Sequence, residues 1–279
     1  MPELPEVETV RTALDEAARG EVIARVGISG KKMRWPIPAD IEKQIAGGKI
    51  SALRRRGKYI LIDIDKSGAT RVMLIHLGMS GSVRIYPQHD KAPAPDKHDH
   101  MVIDLVAGQR LVLNDPRRFG GVDVMPPQAE LKHPLLAQMG IEPLGNRLDG
   151  EFMHTAMKAK ATPIKTALLD QRIIAGIGNI YASEALFLAG IHPSRKAGRI
   201  SRGRFDRLAR AIREVLEAAI RAGGTSLRDH VQPGGEIGYF IQELNVYGRD
   251  AAPCPVCKTT IRMIRQSGRA SYYCPQCQR

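Results

Sequence analysis

Residues 58–79 read KYILIDIDKSGATRVMLIHLGM. Two apolar runs, KYILIDI and RVMLIHLGM, flank a short polar turn containing Ser67 and Gly68. Runs of about seven residues rich in Ile, Leu and Val are strand material, too short and too continuous for amphipathic helices. Downstream, MVIDLVA (101–107), RLVLND (110–115) and GGVDVMP (120–126) repeat the texture, separated by Gly, Pro, Asp and Ser. Several short strands punctuated in this way predict a β-sandwich or barrel.

The flanks differ from this centre. From Pro5 to about Arg19, Val7, Val10, Leu14 and Ala17 recur on one helical face, with Pro5 suited to a first turn and Gly20 to a stop. Beyond EPLGNRLDG, a turn-rich linker around 143–150, the texture becomes helical. TPIKTALLDQRII (162–174) and NIYASEALFLAG (179–190) bracket AGIG. SRGRFDRLARAIREVLEAAIRAGG (201–224) buries Leu208, Ile212, Val215 and Ala219 and turns an arginine-rich face outward. The expected fold class is therefore α+β.

The chain has 279 residues and a net charge of +13, from 42 Lys and Arg against 29 Asp and Glu. Such an imbalance speaks of partners and not of fold: nucleic acid first, an anionic membrane surface second. Residues 195–228 hold ten basic against three acidic residues, and 249–279 six against one. One-signed stretches of this kind suit phosphate contact. No apolar run approaches the roughly 18 residues of a membrane span. The N-terminal stretch carries acids where a secretory signal carries bases, so a cytoplasmic, nucleoid-associated protein is expected.

All four cysteines fall near the C-terminus, Cys254, Cys257, Cys274 and Cys277. Two C-x2-C pairs sixteen residues apart form the pattern of a four-thiolate zinc site, one structural ion with no open coordination position. The opening MPELPEVETV sets Pro2 beside the initiator methionine among Glu3, Glu6 and Glu8. With Met1 removed, Pro2 would be a free secondary amine of pKa about 7.7–8.0, nucleophilic at neutral pH. Acids at a helix start are equally explained by its dipole.

PELPEVETV, RRGKY, HLGMSG, DPRRFG, GIGNIYASE and the four-cysteine module occur together and in this order. This combination resembles the formamidopyrimidine-DNA glycosylases over essentially the whole chain. The resemblance implies an N-terminal β-sandwich with its N-terminal helix (1–142), a linker (143–152), a helix–two-turn–helix domain (153–248) and a zinc finger (249–279), with DNA in the cleft. It implies a monomeric base-excision enzyme for oxidised purines in duplex DNA, with lyase activity through β- and δ-elimination and no small-molecule cofactor. Pro2 would be the nucleophile, Glu3 the proton shuttle, and Lys58 and Arg269 phosphate-contacting aids to proton transfer and elimination. Glu6 would line the lesion pocket. Met79, Arg117 and Phe119 would fill the gap left by the extruded nucleotide, with Arg118 beside them, and His98, Lys165 and Asn179 would contact DNA. VQPGGEIGYF (231–240) falls where the family's lesion-capping loop lies. One family lysine is replaced by Ala161. A sister glycosylase for oxidised pyrimidines and a non-catalytic zinc-containing damaged-DNA binder remain as alternatives.

Overall fold

The computed structural model describes residues 2–224 and 244–279. Met1 and the proposed capping loop lie outside the described residues. The chain forms two compact units: described residues up to 137 together with 222–224, and 138–221 together with 244–279.

The first unit opens with α1 (Leu4–Ala18). Its buried face is Leu4, Val7, Val10, Leu14 and Ala18. The stripe thus closes on Ala18, four residues after Leu14, and not on Ala17, because a 3.6-residue period brings the fourth position back under the helix. Gly20, at φ +86°, stops the helix in a conformation other residues rarely adopt.

Two four-stranded antiparallel sheets follow. One contains β1 (Ile23–Ile28), β5 (Ser82–Tyr86), β6 (Asp99–Leu105) and β7 (Arg110–Asn114), in the order β1-β6-β7-β5. The other contains β2 (Lys49–Arg56), β3 (Tyr59–Lys66), β4 (Ala69–His76) and β8 (Gly121–Met125), in sequence order. A short helix, α2 (Ile41–Ile45), precedes β2.

The two runs of 58–79 are β3 and β4, a hairpin in which Ile62 faces Met73 and Tyr59 faces His76. Ile60, Ile62, Ile64, Met73 and Ile75 turn into one core shared with Val83, Met101, Ile103, Leu111 and Leu113 of the other sheet and with α1. That shared core makes the unit a sandwich, as the strand pattern predicts. The opposite face of the β3–β4 hairpin is also covered. Leu61 and Leu74 are each 1% exposed. Across that face Arg54 ties Asp63 (2.7 Å) to Glu130 (2.8 Å). Double coverage explains why these strands read as continuous apolar runs and not as alternation.

The second unit is helical. It contains α3 (Gly150–Met157), α4 (Ile164–Leu168), α5 (Asn179–Leu188) and α6 (Arg202–Arg221). α3 starts inside the stretch read as linker, because Asp149 caps it by accepting from Phe152 N at 2.7 Å. α4 is a single turn and a half, far shorter than its apolar pattern suggests. It ends where Asp170 accepts hydrogen bonds from Arg172 in a local turn. α6 buries Leu208, Ile212, Val215 and Ala219 as predicted. The C-terminal hairpin pairs β9 (Arg262–Gln266) with β10 (Arg269–Tyr273).

Candidate DNA-repair site

In the first unit the site begins at the N-terminus of α1. Glu3 N donates to Glu6 Oε2 at 2.8 Å, and the Glu3 side chain accepts from the Glu6 amide, a reciprocal capping box. The two carboxylates are 2% and 3% exposed, held where the helix dipole favours negative charge. Pro2 immediately precedes them and is buried. Gly224 packs closely on Glu6: a Cβ there would lie 3.1 Å from Glu6 Oε1.

Lys58 sits in the β2–β3 turn beside Gly57, whose φ is +56°. This turn is fastened to α1. Arg55 donates to Gly57 O at 3.0 Å and to Glu8 Oε2 at 2.8 Å, and Glu8 Oε1 also holds Arg11 at 2.8 Å. On β4, His76 stacks on Tyr59 with ring centroids 4.8 Å apart. Burial, then the positive charges of Lys58 and Arg34, pull the His76 imidazole down to about 4, so it is neutral at pH 7.

HLGMSG and DPRRFG form two adjoining loops. Met79 is half-buried and Arg117, Arg118 and Phe119 are exposed. The Arg117 guanidinium lies 4.9 Å from the Phe119 ring centroid, a cation–π pair at the surface. Arg118 between them adopts φ +58°, the left-handed region that costs a non-glycine residue roughly 1–2 kcal/mol. Gly78, at φ +65°, allows the loops to touch: a Cβ there would sit 2.4 Å from Gly120 N. His98 is half-buried, and its carbonyl accepts from Asp115 N at 3.0 Å.

In the second unit, Asn179 opens α5 and its Nδ2 donates to Ala270 O at 3.0 Å. Exposed Arg269 is the next residue along β10. Lys165 is placed differently from expectation. It is 1% exposed, and its Nζ donates to Ala270 O at 2.8 Å and Ser271 Oγ at 2.9 Å. An ammonium engaged by these partners is a strut beneath the hairpin. Ala161 is exposed, and Lys160 beside it is half-buried.

The four cysteine sulfurs lie within 4.8 Å of one another, with Sγ pairs at 3.4, 3.5 and 3.9 Å. Tetrahedral zinc with Zn–S of about 2.3 Å needs sulfurs about 3.8 Å apart, so the donor set fits one ion. Hydrogen bonds from Thr259 draw the Cys257 thiol down to about 6, while burial pushes the Cys274 and Cys277 thiols up; zinc requires all four as thiolates. The finger is seated on the helical unit, where Cys254 and Cys274 pack with Phe187, Val246 and Ile261.

Several residues of structural consequence were not singled out in the sequence. Glu184, 1% exposed on α5, accepts from the amides of Asn245, Val246 and Tyr247 at 2.8–2.9 Å and from Asn245 Nδ2 at 3.0 Å. Asp115, Ser80 and Arg55 do comparable work in the first unit. Their signal was an acid, hydroxyl or arginine embedded in an otherwise apolar or glycine-rich motif.

Comparison with known proteins agrees across the chain. Residues 1–122 match the formamidopyrimidine-DNA glycosylase N-terminal domain, 139–231 its H2TH domain and 252–279 the zinc finger found in FPG and IleRS. The chain is similar to formamidopyrimidine-DNA glycosylases of Roseobacter denitrificans (50% identical) and Cereibacter sphaeroides (49%), each covered completely on both sides. Its fold is similar to Lactococcus lactis Fpg in complex with abasic-site DNA (TM-score 0.89, 31% identical, 99% of each chain). It is also similar to MutM (FPG) of Thermus thermophilus (TM-score 0.87, 35% identical, 99% of this chain and 98% of that one). Across its full length, the chain belongs to the formamidopyrimidine-DNA glycosylase family.

Proposed function

We propose that the chain excises oxidised purines, 8-oxoguanine opposite cytosine and ring-opened formamidopyrimidines, from duplex DNA and then cleaves the strand. The observation that carries this reading is the buried start of α1, where Pro2 precedes the Glu3–Glu6 capping box.

The Pro2 nitrogen, freed by removal of Met1, attacks C1′ of the damaged nucleotide, and the base leaves with its bonding pair and a proton. Glu3 delivers a proton to the ring oxygen as the C1′–O4′ bond opens. A secondary amine then holds C1′ as a cationic iminium, an electron sink. Loss of a C2′ proton expels the 3′ phosphate, and a second elimination expels the 5′ phosphate, leaving a one-nucleotide gap. Lys58 and Arg269 bind phosphate and assist these proton transfers. Glu6 lines the lesion pocket.

Extrusion of the nucleotide costs a few kcal/mol. Met79 supplies an apolar wedge, Phe119 stacks on the opened step, and the Arg117 fork reads the unpaired base. His98, Arg118 and Asn179 hold the backbone, Asn179 at the start of a helix where amides face an anion. Zinc binds the four thiolates and stabilises the finger that presents Arg269, without entering the chemistry. Such an enzyme works in the cytoplasm, on the nucleoid.

Pro2→Gly, tested on an 8-oxoguanine duplex and on a panel of lesions, decides the matter. Loss of excision by about 100-fold or more would support the nucleophile assignment. Unchanged activity would remove the nucleophile assignment, and none in the Met1-free wild type would leave a binder. One structural relative is Lactococcus lactis Fpg with an oxidised pyrimidine in its DNA, so oxidised thymine belongs in the panel. Preference for it over 8-oxoguanine would move the chain's substrate to the pyrimidines.

A further inference from the structure

Asp115 lies just beyond β7 and is 0% exposed. Its Oδ1 accepts from Ser80 Oγ at 2.7 Å and from Arg117 N at 3.2 Å, and its Oδ2 accepts from Gly120 N at 2.8 Å. Its backbone reaches further. Asp115 N donates to His98 O at 3.0 Å, and Asp115 O accepts from Arg118 N at 3.2 Å and lies 2.9 Å from His100 Nε2. Arg117 N is also 3.3 Å from Ser80 Oγ, so one amide is shared between both loops.

A buried carboxylate is tolerated only when hydrogen bonds replace its water. Here they come from two loops whose backbones meet without side chains between them. A Cβ at Gly78 would lie 2.5 Å from Phe119 C, and one at Gly120 would lie 2.5 Å from His76 O. The strand end alone would be served by an apolar residue. What the carboxylate adds is a common anchor for the segment bearing Met79 and the segment bearing Arg117 and Phe119.

We propose that Asp115 is a positioning residue for duplex opening, holding Met79, Arg117 and Phe119 at a fixed spacing so that they enter the base step as one rigid body. The proposal rests on the reading of those three residues as the gap-filling group. A preorganised wedge forfeits less side-chain freedom on binding than a mobile one. Asp115 touches neither Pro2 nor its acids, so it serves only substrates whose base must be extruded.

Asp115→Asn keeps shape but sets an NH2 donor against the Gly120 amide or against the Ser80 and Arg117 donors. Single-turnover rates would be compared on duplex 8-oxoguanine and on single-stranded DNA with one abasic site, which needs no extrusion. Misplacement by about 1 Å can cost about 100-fold, and a loss of that order is expected on the duplex, with single-strand cleavage within about threefold of wild type. Ser80→Ala, which breaks one anchor only, should show a smaller loss with the same selectivity, and it carries the test if the Asn variant does not fold. Equal losses on both substrates, or none on the duplex, would overturn the proposal. Wild type inactive on both substrates would instead remove the glycosylase reading on which it stands.

Discussion

Arg55 Nε donates to Glu8 Oε2 at 2.8 Å, and through this bond the turn that presents Lys58 is fastened to the helix that presents Pro2 and Glu3. The Arg55 side chain is only 10% exposed. Removing it leaves a part-buried carboxylate short of one charged donor, a loss of about 1.5–3 kcal/mol. Arg55→Met should therefore lower the urea midpoint of the first unit and slow excision, while Glu8→Gln does less on both counts. Trp35 is the sole tryptophan and belongs to this unit, so its fluorescence follows the transition. An unchanged midpoint in Arg55→Met would remove the tether from the account.

Lys165 supplies a test of its reassignment. A lysine that neutralises a phosphate contributes about 0.9 to the slope of log K against log salt. Because its ammonium is occupied by Ala270 O and Ser271 Oγ, Lys165→Met should weaken DNA binding without altering that slope. Arg269→Gln, at an exposed position, should reduce the slope by about 0.9. Titrations at several salt concentrations separate the two; a reduced slope for Lys165→Met would restore it as a phosphate ligand.

His76 makes stability depend on pH. Its folded-state value of about 4 lies below the unfolded value near 6.5, so its neutral form contributes stability that is fully present above pH 6.5 and is lost as pH falls through 4. The whole contribution amounts to roughly 3 kcal/mol. His76→Gln should flatten the stability profile between those limits. Trp35 and His76 line one cavity of about 240 Å3, so tryptophan fluorescence reports the transition locally. A profile of unchanged steepness in the variant would assign the dependence elsewhere.

The sandwich was legible because strands buried on both faces read as continuous Ile, Leu and Val, as in β3 and β4. β1 was not: its two buried residues, Ile23 and Val26, are three apart, and a bulge breaks its register after Ile23. α4 was over-read because Ile173 and Ile174 continue an apolar pattern after the helix has already turned at Asp170. At the site, motif residues on loops were legible as types that have no reason to be clustered in a core. The burial of Lys165 was illegible for a physical reason. Its partners are 105 and 106 residues away in sequence, and nothing local signals that an ammonium is to be buried. The anchoring role of Asp115 is equally non-local, since Ser80 lies 35 residues before it.

The finger should be a metal-dependent element. Three sulfur pairs lie at 3.4–3.9 Å and all four sulfurs within 4.8 Å of one another, a set that zinc would hold together, so its removal should release the support of Arg269. A strong chelator should abolish specific binding to lesion DNA, and stoichiometric zinc should restore it. Cys257→Ser should lower zinc content and lesion binding together. Full binding by zinc-free protein would show that the finger has no part in recognition.

The central claim is that the nitrogen of Pro2 forms a covalent iminium with the damaged nucleotide. Borohydride trapping on a duplex with one 8-oxoguanine opposite cytosine, followed by peptide mass mapping, tests it most directly. A reduced adduct on Pro2 of protein lacking Met1 is the predicted result. An adduct on a lysine, or none from Met1-free, zinc-loaded protein, would contradict it.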